Sequence, residues 1–200
     1  MRTSLTLLCA AVICAGAVAR SAAVDSAALV LGLSDLPIGF LQVSDSGTVS
    51  NAGAADGGGP ALLARLSRWG RTVGYESHFI RVRPQRGIPE GPVEIRSLAS
   101  VYRTARGAAA SFAYARRFLV PTSFSPLALG FTIGDAARQY VGGGLSGESL
   151  VYILIWREGR VNASLVLSGR LGELSAGDVA PLARAQQARI VAELGHGGRG

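Results

Sequence analysis

Beyond its opening segment this chain of 200 residues has no cysteine, because both cysteines, Cys9 and Cys14, lie near the start. Disulfides, thiolate metal sites and cysteine nucleophiles are thereby excluded from the rest. Lysine is absent altogether: all 20 basic residues are arginine, which rules out a GxxxxGK[ST] phosphate loop. Histidine is scarce, with only His78 and His196, and Asp35, Asp45, Asp56 and Asp135 are scattered outside any calcium-loop pattern. No metal is expected from such a set. No GxGxxG follows a strand and opens a helix, so no cofactor is expected either. Long hydrophobic runs are also missing after the first segment. The most apolar stretch, SLVYILIWREG, has strand length, whereas a bilayer span needs about 20 residues.

The opening run MRTSLTLLCAAVICAGAVAR has the layout of a secretory signal. Arg2 provides the positive start, Leu5 to Val18 the apolar stretch, and Ala17-Val18-Ala19 the small-residue cleavage site. Residues 1–19 are therefore read as a signal peptide, which directs the rest to a secreted or extracytoplasmic location in the cell envelope. Leu8 and Ile13 precede the cysteines where a lipid-bearing cysteine would need a small residue. Membrane attachment would come only from an uncleaved signal. Residues 20–194 read as one domain, long enough to bury a core, with a flexible loop at about 48–59 and a disordered tail at 195–200.

Without Arg2, nineteen arginines face thirteen acids. They are spread along the sequence, and the densest group, Arg81, Arg83 and Arg86, has only three members. Nucleic-acid binding needs a clustered basic footprint, so no specific nucleic-acid partner is expected. The Ala-, Gly- and Arg-rich composition without lysine fits a GC-rich bacterial coding bias.

The hydrophobic periodicity predicts a short helix ending at Asp35-Leu36-Pro37, then a Ser/Gly/Asn-rich stretch whose first residues, from Leu41, can form a strand and whose residues 51–59 read as a flexible loop. A helix over 60–71 carries Leu62, Leu63, Leu66 and Trp69 on one face. Strands follow at 73–83, with Tyr75, Ser77, Phe79 and Arg81 on one side, and at 93–102. A helix over 104–118 has the stripe Ala105, Ala108, Phe112, Ala115 and Leu119. A short strand AARQYVG precedes two strong strands that pair around Gly159. The last helix, capped by Ser175 or Asp178, buries Val179, Ala183, Gln186, Ile190 and Leu194. Adjacent strands joined by turns favour antiparallel pairing. The expected fold is α+β: a single antiparallel sheet of about five or six strands, with helices packed on its faces as an α/β/α sandwich.

Gly144-Leu145-Ser146-Gly147 comes close to the G-x-S-x-G elbow of serine hydrolases, but Glu148 stands at the second glycine's place and a strand follows where a helix should. No catalytic residue is assigned. The aromatics Tyr75 and Phe79 share one strand face, and Tyr152 and Trp156 share another. They either fill the core or line an apolar pocket. Arg96, Arg138 and Arg157 could bind an anion at its rim. The candidate ligand-binding residues are Tyr75, Phe79, Arg96, Arg138, Tyr152 and Trp156, with the ligand between the sheet and the loops at 119–135 and 141–148.

LSDLPIGF, GRTVGYESHFIRV, VYRTARGAAASF, FTIGDAARQYV and SLVYILIWREGRVNASLVLSG followed by PLARAQQARI together resemble exported bacterial sensor-like domains of uncharacterised function. The layout is similar to the PsbP-like superfamily and to extracellular sensor domains of bacterial receptor kinases. The resemblance implies an α/β/α sandwich and a non-enzymatic extracytoplasmic domain that binds a small molecule, an envelope component or a protein partner. Two alternatives stand beside it: an exported hydrolase with a fold-assembled site, and an arginine-rich envelope-associated surface protein. The sequence leaves the oligomeric state open.

Overall fold

The computed structural model describes residues 24–82, 91–144 and 147–196. The signal segment, Arg83, Arg86, Ser146 and the last four tail residues lie outside them. In chain order the elements are β1 (Phe40–Gln42), β2 (Gly47–Val49), α1 (Asn51–Ala54), α2 (Gly59–Arg68), β3 (Arg71–Arg81), β4 (Glu94–Tyr102), α3 (Ala105–Tyr114), β5 (Ser125–Leu127), β6 (Ala136–Gly143), β7 (Ser149–Glu158), β8 (Val161–Arg170) and α4 (Val179–His196). The strands form one antiparallel sheet of eight, in the order β1-β3-β4-β8-β7-β6-β5, with β2 also on the outer edge of β3. The α+β class is as expected, but the strand count exceeds five or six. The additional strands are β2 and β5, three-residue segments too short to show a period of two, while β1 falls at the start of the stretch where the sequence allowed a strand.

The hairpin β7–β8 is the centre of the fold. Its register runs from Ser149↔Arg170 to Glu158↔Val161, leaving Gly159 and Arg160 as the turn. Gly159 takes φ +52°, the positive value that a tight two-residue turn asks of its first position. β8 alternates strictly between buried and half-buried residues from Val161 to Gly169. The buried set of β8, Val161, Ala163, Leu165 and Leu167, joins Leu154 and Trp156 of β7, Ile95 and Ala99 of β4, and Phe79 of β3 in one closed core.

α4 covers this face. Val179, Leu182, Ala183, Gln186 and Ile190 recur at helical spacing and are all buried. The Ser175 backbone N–H and hydroxyl both donate to Asp178 Oδ2 at 2.8 Å, fixing the chain entry into the helix. Inside the core, Gln186 Nε2 donates to the Leu98 carbonyl, and Trp156 Nε1 donates to Gln187 Oε1 at 2.7 Å. Both N–H groups are thus paired where water does not reach, while Gln186 Oε1 is buried without a partner among the described residues. The helix continues to His196, into the stretch read from sequence as a tail.

The segment leading into β1 differs from the expected helix. Two 3-10 turns, Ser26–Leu29 and Leu33–Asp35, flank extended backbone. Leu29, Val30 and Leu31 are consecutive and all buried against α4 and the sheet. An α-helix turns each successive side chain by about 100° and could not bury all three on one side. The Leu31 N–H donates to Ser97 Oγ, and Arg189 Nε meets Asp35 Oδ2 at 2.8 Å, so both ends of the segment are tied down. The stretch composition reads as a loop contains β2 and a single helical turn, α1, whose cap Ser50 accepts from the Gly53 N–H. Likewise the helix expected over 104–118 is α-helical only to Tyr114; Ala115–Leu119 widens into a π turn.

Substitution at Leu165, fully buried beneath α4, separates this core from the surface. Leu165→Ala is expected to cost about 2–5 kcal/mol. Leu171→Ala, at a position 65% exposed, should change stability by no more than about 0.5 kcal/mol. Urea unfolding midpoints check both.

Candidate functional site

The run SLVYILIW is apolar at almost every position. Alternation sends Tyr152, Leu154 and Trp156 into the closed core and Val151, Ile153 and Ile155 to the opposite face. A strand apolar on both sides belongs in a sheet covered on both sides. The second face also carries Leu98 of β4 and Val166 of β8, yet these residues and Ile153 and Ile155 are only half-buried.

The partial cover comes from α3. Thr104 caps it, its hydroxyl accepting from the Gly107 N–H, and Asn162 Nδ2 of β8 donates to the Ala108 carbonyl, holding the helix to the sheet. The helix is ten residues long and its inward residues are mostly small: Gly107, Ala108 and Ser111, with Phe112 the large one. Between it and the sheet a cleft of about 470 Å³ remains, in the size range of small-molecule sites. Its apolar lining includes Leu98, Ile153, Ile155, Val166, Phe112 and Leu66.

Polar groups converge on this cleft from Arg71, Ser100, Tyr102, Ser111 and Glu76. Tyr102, 2% exposed, has its hydroxyl 2.7 Å from Ser111 Oγ. Burial pushes its pKa up, partly offset by that hydrogen bond. Arg71 begins β3 and is 5% exposed. Its Nε donates to Ser100 Oγ at 3.0 Å, and its Nη1 donates to the Val49 carbonyl and to Asn51 Oδ1 at 3.1 and 2.9 Å. Burial pushes the guanidinium below its usual value. Gly74 makes the placement possible, since a Cβ there would collide with Arg71 Nη2 and with the Ala99 carbonyl.

Beside the cleft lies a charged network. His78, 8% exposed, places Nδ1 2.9 Å from Asp45 and Nε2 2.9 Å from Glu94 Oε1. The second contact is off hydrogen-bond alignment and is one of charge and proximity. Arg96 bridges Glu94 and Glu76 at 3.0 and 3.2 Å. Both His78 backbone groups are engaged by the β1–β2 loop: its N–H donates to Ser46 Oγ, and its carbonyl accepts from the Val43 N–H. Chemically this is a clamp. Each ring nitrogen faces a carboxylate, while the nearby serine hydroxyl serves the backbone.

The six candidate residues read from sequence are not brought together. Tyr75 lines the cleft and also packs against the main core. Phe79, Tyr152 and Trp156 lie in the closed core, at 0, 8 and 0% exposure, because they share the parity of the face under α4. Arg96 sits in the carboxylate network. Arg138 is exposed on β6, donating to the Ala137 carbonyl, and lines a separate, more open hollow formed by residues 126–139. The third rim arginine, Arg157, pairs with Asp135 at 2.8 Å. The cleft meets the 119–135 loop at Val120. Missed from sequence were Arg71, Leu98, Tyr102, Ile153, Ile155 and Val166. The signal for the isoleucines was present in SLVYILIW, whose two apolar faces demand two covers.

The arginines also gather more than their spacing suggests. Arg65 and Arg68 of α2, Arg103 and Arg106 before and within α3, and Arg116 and Arg117 in the π turn are all exposed. No acid occurs between Glu94 and Asp135 in sequence. Arg65 lies over the Tyr114 ring at 5.4 Å and Arg117 over Phe118 at 5.1 Å, while Tyr114 contacts both Trp69 and Phe118.

No family model matches the chain, and no curated protein matches it. Among solved structures it is similar to the crystal structure of the extracellular domain of PknH from Mycobacterium tuberculosis, with TM-score 0.47 and 11% identity over 85% of this chain and 94% of that one. Among the described residues no helix is long and apolar enough to cross a membrane, and no group of three or more His, Cys, Asp or Glu side chains could hold a metal ion.

The clamp has a pH signature. The hydrogen bond from His78, aided by the charges of His78 and Arg96, holds the Asp45 carboxyl below its ordinary value of 3.8. A depressed carboxyl contributes stability that is fully present above the unfolded pKa and is lost as pH falls through the lower folded one. Asp45→Asn should therefore be less stable than wild type at neutral pH, with the gap closing below pH 3.8. Urea midpoints of both proteins across acid pH measure it; a gap that does not close removes Asp45 from the clamp.

Proposed function

We propose that this chain is an exported, non-enzymatic domain that binds a small molecule with an apolar body in the cleft between α3 and the sheet. The observation that carries the reading is the half-covered apolar face of Leu98, Ile153, Ile155 and Val166, which the fold's own helices leave open. Burial of apolar area contributes about 25 cal/mol per Å², so a ligand that completes this face is favoured by the same effect that closes the other. The surroundings of His78 support a binding role over a hydrolytic one, since both ring nitrogens face carboxylates, Asp45 and Glu94, and the nearby Ser46 hydroxyl bonds the His78 backbone.

A second reading, an envelope-associated surface protein, is favoured by the exposed arginines of α2, α3 and the π turn. They frame the aromatic run Trp69, Tyr114 and Phe118, a combination suited to an anionic surface.

Fluorescence of N-phenylnaphthylamine, an uncharged apolar probe, separates the two. The cleft reading expects saturable one-to-one enhancement that is lost in Val166→Trp, which fills the floor, and kept in Leu171→Ala. Equal binding in Val166→Trp, or none to the folded protein, contradicts it. The surface reading expects co-sedimentation with phosphatidylglycerol vesicles that high salt abolishes.

A further inference from the structure

Arg71 differs from three other arginines whose side chains are drawn into the fold. Arg96, Arg157 and Arg189 each have a carboxylate at 3.2 Å or less. Arg71 is 5% exposed, and among the described residues no carboxylate lies within ion-pair reach of it. Its three hydrogen bonds go to neutral acceptors, Ser100 Oγ, the Val49 carbonyl and Asn51 Oδ1, and all leave from Nε and Nη1. Nη2 makes none of them and lies against Gly74, where a Cβ would collide with it. Buried charges are normally paired. Here a buried positive charge with an unused donor lies on the wall of a cleft otherwise lined by Leu98, Ile153, Ile155 and Val166. Glu76, the one carboxylate in the lining, is already matched by Arg96 Nη1 at 3.2 Å.

We propose that Arg71 receives the carboxylate of the molecule that occupies the cleft, so that the ligand class is a monoanionic amphiphile: a carboxylic acid with an apolar chain or ring. This rests on the cleft reading above and adds its head group. One uncompensated positive charge calls for one negative charge, and a guanidinium edge offers carboxylate oxygens directed, charge-assisted hydrogen bonds. The neutral bonds from Nε and Nη1 hold the guanidinium in place before the ligand arrives, so little ordering accompanies binding. The apolar body then lies along the Leu98, Ile153, Ile155 and Val166 floor.

The test is binding of dansyl-labelled undecanoic acid and of its methyl ester to the full chain, followed by fluorescence. The acid should bind about tenfold or more tightly than the ester, the difference expected of one charge-assisted hydrogen bond. Arg71→Met should abolish that preference, bringing the acid-to-ester affinity ratio to about one whatever it does to the affinity of either compound alone. In Arg71→Lys, which keeps a cation but loses the planar fork and guards against a misfolded methionine variant, the acid-to-ester affinity ratio should fall severalfold without reaching one. Equal affinity of acid and ester, or an acid preference that survives both substitutions, overturns the Arg71 proposal and leaves the cleft reading standing. Failure of both compounds to bind overturns the two together.

Discussion

Everything in this fold turns on a sheet with one closed apolar face and, on the other, an apolar strip of Leu98, Ile153, Ile155 and Val166 that is only partly covered. α4 and the segment 26–31 seal the face that carries Trp156, Leu165 and Phe79. On the other face α3, short and lined with small residues, reaches only part of the same strands. Apolar area left half-wet costs free energy in proportion to its extent. On the proposed reading, a ligand in the cleft above Ile153, Ile155 and Val166 completes that cover.

The polar groups around the cleft follow from this arrangement. Arg71 opens β3 just where β2 and α1 meet the sheet, and its bonds to Val49, Asn51 and Ser100 join β3 to β2, α1 and β4. One side chain therefore braces the cleft wall and supplies its charge. The Asp45–His78–Glu94–Arg96–Glu76 network does related work beside it. It pins the β1–β2 loop to the sheet, and it neutralises Glu76, the lining carboxylate, that would otherwise repel an anion. Among the described residues, Arg71 is the buried charge of the cleft lining without a carboxylate partner.

Much of the fold was legible in the sequence. Gly159 between two strong strands identified the central hairpin, and Val179, Ala183, Gln186 and Ile190 identified the face of α4, because both patterns are local and periodic. The 3-10 segment was not legible: Leu29, Val30 and Leu31 look helical by composition, and only the presence of α4 and the sheet makes extended backbone the better solution. β1, β2 and β5 are too short to carry a period at all. For the site, strand parity was read correctly but its outcome was left open. Tyr75, Phe79, Tyr152 and Trp156 drew attention as aromatics, yet the parity that groups them also directs the last three into the core. Arg71 gave no sequence signal, since its isolation from carboxylates exists only after β2, α1 and β4 converge around it. The same holds for the arginines of α2 and α3, spread in sequence and gathered by the packing of Trp69 on Tyr114.

The central claim is that the two sheet faces differ, one finished by the chain and one finished by a ligand. Methyl NMR of protein labelled at Ile, Leu and Val, titrated with decanoate, tests it most directly. The expected result is saturable shifts at Leu98, Ile153, Ile155 and Val166, with Ile95, Leu154, Leu165, Leu167 and Ile190 unmoved. Shifts centred on the α4 face, or none on either face, would contradict it.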